Sequence, residues 1–101
     1  MSAVKIPFKA YFKGPMLSGV KTYTSRTKAM GHPGDTFTAF GTQFVILSIQ
    51  VVRLSEVSTC WLEEGCQSEE DFRRVWREIH PHVGYVDDQL VILHRFRKVE
   101  S

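Results

Sequence analysis

Hydrophobic and polar positions change period along the chain. Ala3–Phe8 alternates loosely and predicts a short strand. Tyr11–Ser18 predicts a short helix that carries Gly14-Pro15, with Gly19 placed to cap its C-terminus. Lys21–Arg26 (KTYTSR) is rich in Thr and Tyr and reads as extended. Met30–Asp35 (MGHPGD) is a turn. Thr36–Phe40 is a strand, Gly41–Gln43 a turn, and Phe44–Leu54 a longer strand rich in β-branched residues. The period then becomes helical. Ser55 opens a short helix toward Leu62, which Glu63-Glu64-Gly65 ends. Ser68 followed by Asp71 resembles a capping box, with Glu69 and Glu70 in the first turn. Phe72, Val75, Trp76 and Ile79 share one helix face, and His80-Pro81 stops the helix. Gln89–Phe96 is a final strand, with Leu90, Ile92, His94 and Phe96 on one face.

Strands and helices do not alternate regularly, so a doubly wound parallel sheet is not expected. The order predicts an α+β fold, a small, mostly antiparallel, curved sheet or barrel with helices at its side. The 101 residues leave room for a single domain, residues 1–101, and a hydrophobic fraction of 43% suits a packed core. No apolar run approaches the roughly 20 residues of a bilayer span. The first residues show no apolar core followed by a cleavage site. Cys60 and Cys66 make no disulfide framework. Together these features lead us to expect a cytoplasmic protein.

Charge changes the picture more. The net charge is only +2, but residues 1–34 carry Lys5, Lys9, Lys13, Lys21, Arg26 and Lys28 and no acid. Residues 55–71 carry six acids and no Lys or Arg. One face is therefore either a solvated lysine surface or a meeting place for a polyanion.

Within KTYTSR, Lys21 and Thr24 suggest a base and a nucleophile, provided the amine is kept neutral by desolvation or by a nearby cation such as Arg26. In a regular strand, residues three apart point to opposite faces. The pair meets only if the chain turns or bulges at Thr22-Tyr23, or if the lysine stem reaches over. A Thr-rich strand with exposed charges is the commoner arrangement for such spacing. Glu63 and Glu64 are crowded by like charge, which favours a protonated acid, or they are surface acids. His94 is either a pocket histidine or a satisfied core histidine. His80 and His82 lack a third ligand at metal spacing, so no metal is expected. Tyr23, Trp61, Trp76 and Tyr85 could stack on a base, with Trp76 better placed in the core. No glycine-rich phosphate loop exists, so no cofactor is indicated.

The run SGVKTYTSR (Ser18 to Arg26), HPGDTFTAFG (His32 to Gly41), WLEEG (Trp61 to Gly65), a helix opening at Ser68, IHP and the closing HRF together resemble the ASCH domain, a PUA-like family. The resemblance spans roughly residues 5 to 98, and G-x-K-T-x-T-x-R is its most specific part. It implies a PUA-like β-barrel of about five to six strands flanked by two or three helices. ASCH domains have been proposed as RNA-binding modules. A compact bacterial branch hydrolyses N4-acetylcytidine to cytidine and acetate without a metal, with Lys as proton acceptor, Thr as nucleophile and Glu as proton donor. Carried over, these are Lys21, Thr24 and Glu64, with Glu63 as the alternative acid. Arg26, Tyr23, Glu63 and His94 are the expected substrate-binding residues. A variant has Glu64 activating water, with Thr24 only positioning substrate. The implied partner is an acylated cytidine nucleoside. The competing reading is an RNA-binding module without catalytic activity, which would leave Lys21 exposed and charged. No membrane partner is expected, and the assembly expected is a monomer or a weak homodimer.

Overall fold

The computed structural model describes residues 2–99. Four strands form one antiparallel sheet: β1 (Tyr23–Arg26), β2 (Thr36–Ala39), β3 (Thr42–Arg53) and β4 (Leu90–Lys98), in the order β1-β4-β3-β2. Three helices accompany it: α1 (Lys13–Ser18), led in by a 3-10 turn over Ala10–Phe12, α2 (Leu54–Ser58) and α3 (Glu69–Ile79). The α+β class is the one that the change of period predicts. Among the described residues no helix is long and apolar enough to cross a membrane.

The sheet has four strands where five to six were expected. Ala3–Phe8 makes only one parallel bridge, Ala3 to Thr36. Val4 N–H donates to Thr36 O and Thr36 N–H to Ser2 O, and the ladder goes no further. The β2–β3 hairpin also turns one residue earlier than expected. Phe40 (φ 52°) and Gly41 (φ 74°) both adopt positive φ. That makes a two-residue turn whose twist matches the flanking strands, so Thr42 and Gln43 join β3.

β3 and β4 pair along most of their length, with a bulge between Ile46 and Ser48 that leaves Leu47 unpaired and 41% exposed. Bulges bend a strand and sharpen its twist, which curls this sheet. On the concave side Phe37, Phe44 and Phe96 pack with ring centroids 5.3–5.5 Å apart, and Phe8 stacks on Phe37 at 5.8 Å. Offset and edge-on aromatic contacts of this kind add to the burial of their large apolar surfaces.

α3 begins as its sequence predicts. Ser68 Oγ accepts Asp71 N–H at 3.0 Å, and the Asp71 carboxylate accepts Gln67 N–H at 3.0 Å, so two otherwise orphaned donors are satisfied. Phe72, Val75 and Trp76 are buried, while Ile79, at the end of the same stripe, is 42% exposed. This face of α3 forms one wall of a cavity whose other wall is β1, an edge strand of the sheet.

Candidate active site

The cavity has a volume of about 480 Å³, within the range of small-molecule pockets. Phe8, Phe12, Phe72 and Trp76 give it apolar walls, and Lys21, Thr24, Ser25, Arg26 and Glu64 bring polar groups into it.

Lys21 lies just before β1. The backbone twists between Lys21 and Thr24. The N–H groups of Thr22 and Tyr23 both donate to Glu63 O, at 2.8 and 2.9 Å. In a flat strand, successive N–H groups point to opposite edges, so two on one acceptor require a local twist. Lys21 N–H is held separately by Pro15 O at 2.9 Å. The lysine therefore enters the cavity that Thr24 also lines.

Lys21 is 3% exposed. Its Nζ donates to Tyr23 O at 2.7 Å and Glu64 O at 2.5 Å, and lies 3.6 Å from Glu64 Oε1. The Phe12 ring sits beneath it, centroid 4.3 Å away. Burial holds the amine's pKa below its ordinary value of 10.5. Glu64 and Cys66 oppose that shift, and Arg26 reinforces it. Gly65 makes the close approach possible. Its φ is +89°, and a Cβ there would meet Lys21 Cδ at 2.9 Å.

Glu64 is 4% exposed. Irregular turns after α2, including Glu64 N–H to Cys60 O and Cys66 N–H to Trp61 O, carry it inward. Ser25 Oγ donates to its Oε2 at 2.8 Å. Sequence reasoning missed Ser25, because a serine in a Thr-rich strand carries no signal of its own; the partner lies 39 residues away. A hydrogen bond to a buried charge contributes more than an ordinary one. Ser25→Ala is therefore expected to lower stability by about 1–3 kcal/mol in urea unfolding, and Ser25→Thr to retain most of it.

Thr24 is 4% exposed, and its Oγ1 accepts Arg26 Nε–H at 3.1 Å. Arg26 Nη2 donates to Pro7 O at 2.7 Å, and its guanidinium lies 4.9 Å from the Phe8 ring centroid. A cation donating to a hydroxyl oxygen makes that hydroxyl easier to deprotonate.

Three residues expected at the substrate do not line the cavity: Tyr23, Glu63 and His94. Tyr23 and Glu63 contribute backbone carbonyls instead, to Lys21 and to the twist before β1. His94 has no exposed surface and pairs with Thr24 in the sheet register. Its Nε2 accepts Met30 N–H at 3.0 Å, so Nδ1 carries the proton and faces Thr24 O and Ile92 O. It is the satisfied core histidine of the two readings.

Burial keeps the His94 pKa below its ordinary 6.5. The unfolded chain takes up a proton below that pH and the native imidazole resists it. Its contribution to stability is thus complete above pH 6.5 and is lost as pH falls, at up to about 1.4 kcal/mol per unit. The urea midpoint is expected to drop between pH 7 and 5, and less steeply in His94→Gln.

No family model matches the chain, and no curated protein matches it in sequence. Solved structures do match it. The ASCH domain from Lactobacillus crispatus JV V101 superposes with a TM-score of 0.60 at 16% identity, covering 96% of this chain and 78% of that one. The fold is that of an ASCH domain. Protein EF3133 from Enterococcus faecalis V583, of the family model DUF984, gives a TM-score of 0.62 at 15% identity over 97% of this chain and 78% of that one. Hypothetical protein PH0355 gives 0.67 at 15% identity over 97% and 96%. At such identities the likeness is one of fold, and the chemistry of the cavity is argued from its own residues.

Proposed function

We propose that the protein is an amidohydrolase that cleaves the N4-acyl amide of N4-acetylcytidine-type nucleosides, giving cytidine and a carboxylic acid. The observation that carries this reading is the burial of the Lys21 amine in the cavity that Thr24 and Glu64 also line. A module that only met RNA phosphates would gain from an exposed, charged lysine at this position, and burial works against that.

A neutral Lys21 amine has two N–H bonds, which Tyr23 O and Glu64 O accept, and one lone pair left for the Thr24 proton. Thr24 Oγ1 then attacks the acyl carbon, and the negative charge moves to the carbonyl oxygen. Arg26 or nearby N–H groups stabilise that oxygen. The proton held by Lys21 passes to Glu64, 3.6 Å away, and from there to the departing exocyclic nitrogen of cytosine. The C–N bond breaks, cytidine leaves, and an ester joins the acyl group to Thr24. Water attacks that ester, gives up a proton to Lys21, and releases the acid as Thr24 regains its hydrogen.

The test is to incubate the protein with N4-acetylcytidine and follow ultraviolet absorbance. The reading predicts conversion to cytidine, and no conversion at any enzyme concentration rejects it.

A further inference from the structure

Glu64 lies in the turns between α2 and α3, outside any strand or helix. Its carboxyl group ends a side chain of three torsions, the last of which has no sharp preference. Two contacts nevertheless fix that group. Oε1 lies 3.6 Å from Lys21 Nζ, and Oε2 accepts the Ser25 hydroxyl at 2.8 Å. All three residues are buried. Ser25 stands on β1, in register with Leu93 of β4, so its hydroxyl is carried by the sheet rather than by the turns. Ser25 Oγ makes no other side-chain hydrogen bond among the described residues. A serine hydroxyl has a single proton to give. While Oε2 accepts it, a second proton on the same oxygen would have to displace it. A proton leaving Lys21 therefore goes to Oε1, the oxygen that faces the amine.

We propose that Ser25 is a positioning residue for departure of the leaving group. By donating to Oε2, it holds the Glu64 carboxyl group so that Oε1 takes the proton from Lys21 and delivers it to the departing nitrogen. This rests on the amidohydrolase reading, with Glu64 as the proton donor.

Steady-state rates of the wild type, Ser25→Ala and Ser25→Thr test it, with N4-acetylcytidine and with 4-nitrophenyl acetate, at a temperature where all three are folded. 4-Nitrophenolate leaves as an anion, so Glu64 has no proton to supply to it. On the amide, Ser25→Ala is expected to lose about 10- to 100-fold in kcat, with KM changed by no more than about twofold. On the ester it is expected to stay within about twofold of wild type. Ser25→Thr keeps the donor and is expected to recover most of the amide rate. Equal losses on amide and ester make Ser25 a structural support only and overturn the proposal. Amide turnover in Ser25→Ala equal to that of the wild type also overturns it. In both cases hydrolysis of N4-acetylcytidine by the wild type leaves the amidohydrolase reading standing. An acyl group found on Ser25 in a peptide digest overturns the proposal too, because Ser25 is then a nucleophile. A wild type that converts no N4-acetylcytidine rejects the amidohydrolase reading itself, and the role of Ser25 with it.

Discussion

A Lys21→Met protein is expected to lose hydrolysis of N4-acetylcytidine by about 10²–10⁴-fold, the usual contribution of a positioned general base. Methionine fills nearly the same buried volume beside Phe12 and supplies no lone pair for the Thr24 proton. Because the buried Glu64 carboxylate and the carbonyls of Tyr23 and Glu64 lose their donor, the variant is expected to lose about 3–5 kcal/mol of stability, and its rate is read at a temperature where it is folded. The native amine is buried and its pKa lowered, so the unfolded chain holds a proton up to about pH 10.5 that the folded chain gives up sooner. Wild-type stability therefore rises with pH across the window below 10.5. That slope is expected to flatten in the variant. In Lys21→Met/Glu64→Gln the buried carboxylate is removed as well, and part of the stability lost in Lys21→Met is expected to return. Rate assays and urea unfolding at several pH values check both halves. Activity within a few-fold of wild type in Lys21→Met would remove the lysine from the chemistry.

Thr24→Ala is expected to cost about 10³-fold or more in kcat, as loss of a nucleophile does. Thr24→Ser keeps the hydroxyl and is expected to retain measurable turnover. Quenching the wild type during turnover and digesting it is expected to yield a Thr24 peptide carrying the acyl group. If Thr24→Ala stays within about tenfold of wild type and no acylated peptide forms, Glu64-activated water is the route and Thr24 only positions the substrate.

Much of the fold was legible because its signals are local. The Ser68-to-Asp71 spacing and the Phe72-Val75-Trp76 stripe specify α3 from neighbouring residues alone, and Gly19 caps α1 at φ 85°. What sequence could not show depends on partners distant along the chain. Ala3–Phe8 alternates like a strand, but its pairing depends on how much of β2 is available, and only one bridge forms. Gly41 marks a turn, yet the second positive-φ residue is Phe40, a type that rarely adopts that conformation.

The candidate site divides the same way. KTYTSR holds Lys21, Thr24, Ser25 and Arg26 together in sequence, so three of its members were readable. The twist that turns Lys21 inward is made by Glu63 O, 41 residues from Thr22. The Ser25–Glu64 contact spans 39 residues. Tyr23 and Glu63 looked like ligands because side chains are what a sequence displays, whereas both act through their carbonyls.

The central claim is that the folded chain lowers the proton affinity of one amine. Nuclear magnetic resonance titration of ¹⁵N-labelled Lys21 Nζ, assigned by its absence from Lys21→Met, measures that directly. The account predicts a midpoint below 10.5. A Lys21 midpoint at or above 10.5 would contradict it.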